Sequence, residues 1–282
     1  MIGVWKPQDV EASIAEMKDS GRHVRVTMLD PWYNKGVGGV REDYDDYIFK
    51  LLEGVAEFSD HIFLWGFPEI VAPFVRRMPP GHKLVAWLTW YYKNNPSVIR
   101  GWRSAQNACL HFSKPDVKLY PEHFLNAAQE ALKEKGKLRY MPGPTSVIES
   151  ALLTGFVGRA EQTGHPAQKP EAVYEPLLMM TCKPGDLVFD PMCGSGTTAG
   201  VCRRLKLDGI LCDMNPEYTA MAERRAEGAP GRPVSDEPPA FDLAGELPPA
   251  LPATKKAAKT GYVPTGKPRG RPRKNPLPTA AE

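Results

Sequence analysis

The sequence predicts an α/β fold built on a doubly wound sheet. Short apolar segments of strand length alternate with longer segments whose apolar residues recur every three or four positions, and such alternation is typical of strands and helices in turn. One apolar segment, 187–189, passes through a glycine-rich loop directly into a helical segment, a junction typical of doubly wound folds. The 42% hydrophobic content is ordinary for a globular domain with a substantial core.

The first half of the chain supplies seven predicted elements. Helical spacing predicts a helix over 8–20, and the apolar run after it predicts a strand over 23–29. The helix predicted over 44–58 shows the spacing most clearly, with apolar side chains at Tyr47, Ile48, Leu51, Leu52, Val55 and Phe58. Alternation then continues with a strand over 61–65, a helix over 69–77 and strands over 83–89 and 107–112.

The second half continues the alternation after an irregular stretch. Helices are predicted over 121–135, 171–181, 197–205 and 216–227, and short apolar runs predict strands over 187–189 and 209–212. Residues 113–164 fit the alternation least well. We therefore expect that stretch to hold an inserted recognition region.

Composition excludes several classes of protein. The balance of apolar and charged residues excludes a wholly disordered chain, and no run reaches the roughly 18 apolar residues of a membrane-spanning helix. The first residues lack the basic start and apolar run of a secretory signal. Five cysteines without a C-x-x-C pair indicate reduced thiols in a cytoplasmic protein, with neither disulfides nor a metal site.

Basic residues are concentrated at the C-terminal end. Residues 253–282 carry eight lysines and arginines against Glu282 alone, a net charge of +7, so the rest of the chain carries −4 of the total of +3. From residue 228 onward, 12 of 55 residues are proline and the apolar periodicity disappears. The sequence therefore predicts a folded domain at 1–227 and a disordered basic tail at 228–282 suited to a polyanion.

A ligand loop is predicted where the strand at 187–189 ends in Asp190 and the residues Pro191-Met192-Cys193-Gly194-Ser195-Gly196-Thr197-Thr198 follow. Glycines allow a sharp turn, and the helix that begins there offers free N–H groups. Asp213, at the end of the next short strand, can accept hydrogen bonds from both ribose hydroxyls. The third glycine of a dinucleotide loop and the lysine of a P-loop are missing. We therefore expect an adenosine-containing ligand without a pyrophosphate, with a plain strand–helix turn as the alternative.

A second candidate site follows the predicted strand at 23–29, which leads into Asp30-Pro31-Trp32-Tyr33. The proline fixes a rigid corner. A carboxylate at a strand end, with a flat aromatic side chain nearby, can hold a planar ring that bears an amino group. Gly36, Gly38 and Gly39 of the stretch at 35–39 would allow the loop at 34–43 to close over such a ring. An ordinary turn with buried aromatic side chains is the alternative.

Four motifs, in this order, resemble those of amino-group DNA methyltransferases, which methylate adenine N6 or cytosine N4. The corner at 30–33 resembles their (D/N/S)-P-P-(Y/F/W) motif, and the loop at 190–198 resembles their S-adenosyl-L-methionine loop. His165-Pro166-Ala167-Gln168-Lys169-Pro170 is similar to the H-P-x-Q-K-P segment before that loop, and Asn215-Pro216-Glu217-Tyr218 to the N-P-x-Y after it. The order resembles the permuted β group, which implies a Rossmann-like sheet of about seven strands with helices on both faces.

The resemblance implies an S-adenosylmethionine-dependent enzyme that acts on a flipped base of double-stranded DNA. The implied catalytic residues are Asp30, Pro31, Trp32 and Tyr33. Asp30 and the Pro31 carbonyl would accept hydrogen bonds from the target amino group, and Tyr33 would stack on the base. Aspartate at the first position is typical of adenine-N6 enzymes, so adenine is predicted and cytosine N4 is the alternative. Trp32 replaces the usual second proline, which keeps open a catalytically degenerate DNA-binding protein. RNA or a protein glutamine is a further alternative substrate.

The same resemblance implies the cofactor site. Lys169 and the backbone near His165 and Gln168 are expected near the methionine carboxylate of S-adenosylmethionine. The full set of implied cofactor-binding residues is His165, Gln168, Lys169, Asp190, Pro191, Gly194, Ser195, Gly196, Thr197, Thr198 and Asp213.

The tail contains a segment that resembles an AT-hook, Pro-Arg-Gly-Arg-Pro-Arg-Lys at 268–274. Arginines of such a flat, extended segment enter the narrow minor groove of A·T-rich DNA. The predicted DNA-binding residues are Arg269, Gly270, Arg271, Pro272 and Arg273. A basic tail without base preference is the alternative. Together these features predict a cytoplasmic, nucleoid-associated protein of a bacterial or phage-infected cell, and they leave a homodimer and a restriction-modification partner open.

Overall fold

The computed structural model describes residues 1–34, 39–95, 98–99 and 101–229. All of them belong to the first of the two units into which the chain divides, Met1–Gly245, whereas the second unit, Glu246–Glu282, lies outside the described residues. The five AT-hook residues and nearly all of the predicted tail therefore lie outside them. The domain boundary after residue 227 stays a prediction.

The described residues form an α/β fold around a mixed sheet of eight strands. Seven strands run in one direction, and one runs antiparallel to both of its neighbours. The seven carboxyl ends therefore meet at one edge, the carboxyl edge. The spatial order is β1 (Ile2–Val4), β10 (Asp208–Leu211), β9 (Leu187–Asp190), β2 (Val24–Leu29), β3 (Ser59–Gly66), the antiparallel β7 (Gln106–Ser113), β4 (Lys83–Tyr91) and β8 (Val147–Glu149).

The switch point of the sheet lies between β9 and β2. These strands pair in parallel, with Val26 opposite Val188 and Thr27 opposite Phe189. From β2 the chain continues through a helix to β3 on one side, and from β9 through a helix to β10 on the other. Doubly wound sheets bind ligands in the crevice at such a point. Asp30, which follows β2, and Asp190, which ends β9, therefore share that crevice.

Helices cover both faces of the sheet. Along β3, Ile62 and Leu64 pack with the first two helices, whereas Phe63 and Trp65 pack on the opposite face with the fifth and sixth. This alternation follows from the two-residue period of a strand and builds one core on each face. The seven α-helices of the described residues are α1 (Val10–Asp19), α2 (Tyr44–Ala56), α3 (Pro68–Val71), α4 (Ala127–Glu134), α5 (Glu171–Thr181), α6 (Thr197–Leu205) and α7 (Pro216–Ala226). The predicted doubly wound α/β fold is confirmed.

Two predicted helices are shorter than expected. The helix expected over 69–77 is α3 followed by a 3₁₀ turn, Ala72–Val75, in which Pro73 has no N–H for a helical hydrogen bond. The helix expected over 121–135 divides at Asn126, which starts α4 with a capping box.

The sequence analysis missed the shortest strands. β1 and β8 have three residues each, and a separate hairpin pairs β5 (Val98–Ile99) with β6 (Trp102–Arg103). Segments of two or three residues are too short to show a period, so their pattern carried no signal.

Three further observations concern the residues that the structure describes. Within the described residues, no helix is long and apolar enough to cross a membrane. The five cysteines are free thiols, and all of them are buried. In the same part of the chain, no cluster of His, Cys, Asp and Glu side chains is arranged to hold a metal ion.

Candidate active site

Three acidic residues singled out in the sequence meet at the carboxyl edge. Asp30 follows β2, Asp190 ends β9, and Asp213 follows β10 by two residues. Because β10, β9 and β2 are consecutive in the sheet, the three carboxylates lie along one stretch of the edge. The corner at 30–33 and the glycine loop therefore form one continuous site.

Asp30 is bound by two side chains from the segment before the glycine loop. The Lys169 Nζ donates to Asp30 Oδ2 in an ion pair, and the Tyr174 hydroxyl donates to the same oxygen at 3.5 Å. The Lys169 side chain is 2% exposed and that of Asp30 is 21% exposed. Among the described residues, every hydrogen bond to this carboxylate falls on Oδ2, so Oδ1 remains available to a ligand.

Lys169 is held in its charged form by this pairing. Burial by itself would lower the pKa of the ammonium group, but the Asp30 carboxylate and the Tyr33 hydroxyl outweigh burial and raise that pKa. The expectation for Lys169 was a place near the methionine carboxylate of a cofactor. In the structure its Nζ binds the carboxylate of the corner motif, and its place relative to a cofactor stays a prediction.

Tyr33 is fixed by its hydroxyl and by one side of its ring. The hydroxyl accepts hydrogen bonds from Lys169 Nζ and from Asn107 Nδ2, both at 3.1 Å. The ring packs against Phe67 with 4.6 Å between ring centroids. Burial raises the pKa of Tyr33, so the hydroxyl stays protonated. Within the described part of the chain, the buried Asn107 Oδ1 has no hydrogen-bond partner.

Trp32 points into the protein and anchors the corner. Its ring contacts Tyr44 and Tyr47 with centroids 5.2 and 5.6 Å apart, and its Nε1 donates to the Gly39 carbonyl at 3.2 Å. The Tyr44 hydroxyl donates to the Trp32 carbonyl. The preceding Pro31 is buried. The Trp32 ring therefore packs against α2, whereas Lys169 contacts the corner at Asp30 and Tyr33.

The loop after the corner is closed at its base. Asn34, with a left-handed φ of 53°, accepts a hydrogen bond from the Arg41 N–H at 2.7 Å and donates to the Arg41 carbonyl at 3.0 Å. Gly36 and Gly38, which were expected to let the loop move, lie outside the described residues. The base of the predicted closing loop is thus a fixed point beside the corner.

The glycine loop turns sharply between β9 and α6. Gly196 has a φ of 73°, and a Cβ on it would lie 2.5 Å from the Ala222 Cα of α7, so only glycine fits there. A Cβ on Gly194 would lie 3.0 Å from His165 Nε2. Both glycines therefore allow other parts of the chain to approach the loop backbone closely.

Asp190 organises this loop from beneath. The Thr198 hydroxyl donates to Asp190 Oδ2, and the Met192 N–H donates to Oδ1 at 3.3 Å. Burial raises the pKa of Asp190 to about 7, although the Thr198 hydroxyl opposes that rise. Both oxygens are therefore used to hold the loop and the start of α6, and the next residue, Pro191, is buried.

Asp213 faces the same loop from the end of β10. It accepts hydrogen bonds from the Gly194 N–H at 3.0 Å and the Asn215 N–H at 2.9 Å, one on each oxygen. Burial raises the pKa of Asp213. Because each carboxylate oxygen has two acceptor positions, Asp213 can still accept two hydroxyl hydrogens.

The segment 161–169 is a rigid bracket around the loop. Gln168 accepts from the Thr163 N–H at 2.8 Å and donates to the Glu161 carbonyl, so its side chain is used within the segment. His165 lies against the Tyr218 ring at 4.3 Å, and burial lowers its pKa to about 4. His165 therefore lies beside the loop, near Gly194, and the Gln168 side chain is hydrogen-bonded within the segment. Their expected place near the methionine carboxylate of a cofactor stays a prediction.

Lys169 joins the two halves of the site. Its carbonyl accepts a hydrogen bond of 2.7 Å from the Thr197 hydroxyl at the start of α6, while its Nζ binds Asp30. Thr197 also contacts the Ser195 hydroxyl at 3.2 Å. A single residue thereby fixes the position of the glycine loop relative to the corner.

The sequence analysis missed Tyr174, Phe67 and Asn107. Phe67 follows β3 directly and could have been found, because the ends of parallel strands meet at one edge. Asn107 is the second residue of the antiparallel strand β7, and the sequence pattern carried no sign of that direction. Tyr174 lies within α5, where an aromatic side chain at helical spacing indicates only core packing.

The irregular stretch at 113–164 divides between the two edges of the sheet. The Lys114 N–H donates to the carbonyl of Asp60, near the start of β3, and the Tyr120 N–H donates to the carbonyl of Met180, near the end of α5. Those contacts lie at the edge opposite the site. Leu152 instead exchanges two hydrogen bonds with Asn94, which follows β4. Among the residues of this stretch, 150–164 therefore lie on the side of the carboxyl edge.

Comparison with known proteins gives a family match over most of this fold. The N6/N4 DNA methylase family model matches residues 40–224, more than half of the chain. That match begins after the corner at 30–33, so the roles of the corner residues stay predictions.

Two curated relatives illustrate the similarity. The Type II methyltransferase M.HpaI of Haemophilus parainfluenzae is 33% identical over 147 residues, 50% of this chain and 45% of the relative. The Type II methyltransferase M2.LlaDCHI of Lactococcus lactis subsp. cremoris is 41% identical over 148 residues, 51% of each. The chain thus spans about half the length of these relatives.

Solved structures share the fold. The M1.HpyAVI–SAM complex superposes with a TM-score of 0.60 at 18% identity, covering 80% of this chain and 98% of that chain. The cytosine-N4-specific PvuII DNA methyltransferase superposes with a TM-score of 0.57 at 19% identity, covering 79% and 86%. At such low identity, the likeness is one of architecture.

Proposed function

This chain belongs to the N6/N4 DNA methylase family, and from that premise we propose that it methylates the N6 amino group of a flipped adenine in double-stranded DNA, with S-adenosylmethionine as methyl donor. The observation that carries the proposal is the Asp30 carboxylate, which Lys169 holds at the switch point beside the glycine loop. Its Oδ1 faces no described partner and can accept a hydrogen bond from an amino group.

The residues of the loop fit S-adenosylmethionine by the chemistry of their donors and acceptors. Asp213 keeps acceptor positions for the two ribose hydroxyls. Glycine at 194 lets the His165 ring lie directly against the loop backbone, and the loop is followed by the N–H groups at the start of α6. When bound, S-adenosylmethionine would supply the methyl group, which is attached to a positively charged sulfur.

The role of Asp30 follows from the chemistry of an exocyclic amino group. Its nitrogen is a poor nucleophile because its lone pair is conjugated into the base ring. Asp30 Oδ1 and the Pro31 carbonyl would accept hydrogen bonds from the two N–H groups. These hydrogen bonds would draw the nitrogen toward tetrahedral geometry and so localise its lone pair. Lys169 and Tyr174, by holding Oδ2, would fix the carboxylate in that orientation.

Tyr33 would hold the flipped base by stacking. Its hydroxyl is tied to Lys169 and Asn107, and one side of its ring rests on Phe67. A ring fixed in this way loses little conformational freedom when a base stacks on it. Flipping itself is required, because the amino group is out of reach inside a duplex.

Adenine is proposed over cytosine because aspartate opens the corner motif. Trp32, in the position of the usual second proline, supports an active corner because its ring packs behind the motif against Tyr44 and Tyr47. It leaves the Pro31 carbonyl in place. This arrangement argues against a degenerate, purely DNA-binding protein.

The tail at 228–282 is proposed to add affinity for DNA. Its net charge of +7 over residues 253–282 contrasts with −4 for the rest of the chain, and an AT-hook at 268–274 would favour A·T-rich flanks. The relatives are Type II methyltransferases. We therefore assign the protein a modification role in a restriction-modification system.

The deciding experiment is modified-base sequencing of DNA from cells that express the chain, with Asp30→Ala as the inactive control. We expect N6-methyladenine in one sequence context, absent in the control. N4-methylcytosine in place of N6-methyladenine would reassign the substrate. Unmodified DNA, together with retained DNA binding, would favour the degenerate alternative.

A further inference from the structure

Phe156 projects from the protein on the side of the carboxyl edge. It is 82% exposed and lies in the part of the irregular stretch that Asn94 ties to the end of β4. The Arg159 guanidinium lies over its ring at 4.3 Å from the centroid. A large apolar ring normally gains free energy by burial, so the loop must hold this ring outward.

The loop around Phe156 has a fixed shape. The buried Gln162 donates from Nε2 to the carbonyls of Gly155 and Val157, at 3.2 and 2.6 Å, and so brackets Phe156 on both sides. Gly158 has a φ of 65°, and a Cβ there would collide with Leu153. The outward position of the phenyl ring is therefore built into the local hydrogen bonds.

This loop is connected to the candidate active site through a short frame. Gln162 is followed by Thr163, whose N–H and hydroxyl both donate to Gln168 Oε1, at 2.8 and 3.0 Å. Gln168 immediately precedes Lys169, which binds Asp30. The loop that carries the ring is thus hydrogen-bonded through Gln162 to the segment 161–169, whose last residue, Lys169, binds the predicted catalytic carboxylate.

We propose that Phe156 enters the DNA helix where the target base leaves it and replaces the stacking that the flipped base gives up. The proposal rests on the proposed function, because only an enzyme that flips a base needs such a side chain. Flat apolar side chains enter base steps in this way, and a phenyl ring stacks on any base. The Arg159 guanidinium lies over one face of the ring, and in the complex it would leave that face to the bases and meet the flanking phosphates.

The test compares two DNA duplexes that carry the recognition sequence found by modified-base sequencing. One is fully paired, and in the other the target base is mismatched and already loosened, which lowers the cost of flipping. Methyl transfer is measured as kcat/KM for wild type, Phe156→Ala, Phe156→Trp and Tyr140→Ala. Tyr140 is another exposed aromatic residue, 74% exposed, and serves as the matched control.

We expect Phe156→Ala to lower kcat/KM about tenfold or more on the paired duplex and much less on the mismatched one. Phe156→Trp and Tyr140→Ala should stay close to wild type on both. Equal losses on the two duplexes, or no loss on either, would overturn the proposal. An inactive wild-type chain would instead refute the proposed function, and the inference would fall with it.

Discussion

Lys169 and Asp30 form an ion pair between residues 139 positions apart in the sequence. The pair links the segment before the glycine loop to the corner after β2. It forms because the pairing of β2 with β9 brings the two segments together at the switch point. The ammonium donor occupies one carboxylate oxygen and so determines which oxygen a substrate can reach.

Replacement of Lys169 by methionine should destabilise the protein through the carboxylate left behind. Removal of one partner of a buried pair costs about 3–5 kcal/mol, and the 21% exposure of Asp30 reduces that cost. Asp30→Asn should recover part of the loss in the double variant, with a coupling energy of about 1–3 kcal/mol. Urea unfolding of the four proteins measures this cycle. Strictly additive losses would show that the two side chains do not interact in solution.

Asp30→Ala should abolish methyl transfer while the affinity for S-adenosylmethionine stays near that of wild type. The reason is that Asp30 is assigned to the amino group of the base, and Asp213 to the cofactor. Single-turnover methylation and titration calorimetry report the two properties separately. Asp46→Ala, which removes an exposed partner of Arg77, is the control. Substantial activity in Asp30→Ala would remove that residue from the catalytic role.

Asp213→Ala should weaken S-adenosylmethionine binding by about 1–3 kcal/mol, because charge-assisted hydrogen bonds to the ribose are lost. The affinity for DNA should not change. Asp208→Ala is the matched control, since Asp208 lies at the opposite end of the same strand, β10. Calorimetry of both variants tests the assignment. Unchanged cofactor affinity in Asp213→Ala would show that the ribose binds elsewhere.

Acid should destabilise the protein through two buried histidines. His61 Nδ1 and His111 Nε2 lie 3.1 Å apart between β3 and β7. Burial lowers the pKa of His61 to about 2, with help from the neighbouring His111, and burial lowers that of His111 to about 3. Below pH 6.5 the unfolded chain therefore binds protons that the native protein does not. Stability contributed by these neutral rings is present above that pH and is lost as the pH falls.

The His111→Gln variant measures this effect. Between pH 6 and 4, the slope of unfolding free energy against pH should decrease by up to about 1.4 kcal/mol per pH unit relative to wild type. The His111 ring stacks on Phe63, and the substitution also changes that packing. A packing loss is the same at every pH, so it does not alter the slope. Burial raises the pKa of Asp190 to about 7, so its contribution to the slope has the opposite sign. Because Asp190 is present in both proteins, that contribution cancels in the comparison. An identical slope in the variant would contradict the expected shift of His111.

The sequence predicted the parts of the site that depend on single strand ends. Asp30, Asp190 and Asp213 each follow an apolar strand, and parallel strands bring such residues to one edge. The partner of Lys169 could not be predicted, because it depends on which strands are neighbours. The inward direction of Trp32 depends on Tyr44 and Tyr47 of α2, and a motif does not show on which side of a corner a ring packs.

Deletion of residues 253–282 should weaken DNA binding and reduce its salt dependence while the fold and cofactor affinity remain. The segment carries a net charge of +7 and the remaining chain −4, so phosphate contacts are lost with it. Each lost contact should lower the slope of log affinity against log salt by about 0.9. Binding to A·T-rich and G·C-rich duplexes of equal length, measured over a series of salt concentrations, tests both quantities.

A charge-preserving variant separates an AT-hook from a plain basic tail. Arg269→Lys combined with Arg271→Lys keeps the net charge and therefore the salt slope, but lysine does not fill the narrow minor groove as arginine does. If the segment at 268–274 is a hook, this variant loses affinity for the A·T-rich duplex and keeps its affinity for the G·C-rich duplex. If the tail acts by charge alone, the variant binds both duplexes like wild type. Only the deletion then lowers the affinity, and it does so equally for the two duplexes. A deletion that leaves the affinity for both duplexes unchanged would exclude the tail from DNA binding, because neither the groove contact nor the +7 charge would then act on the DNA.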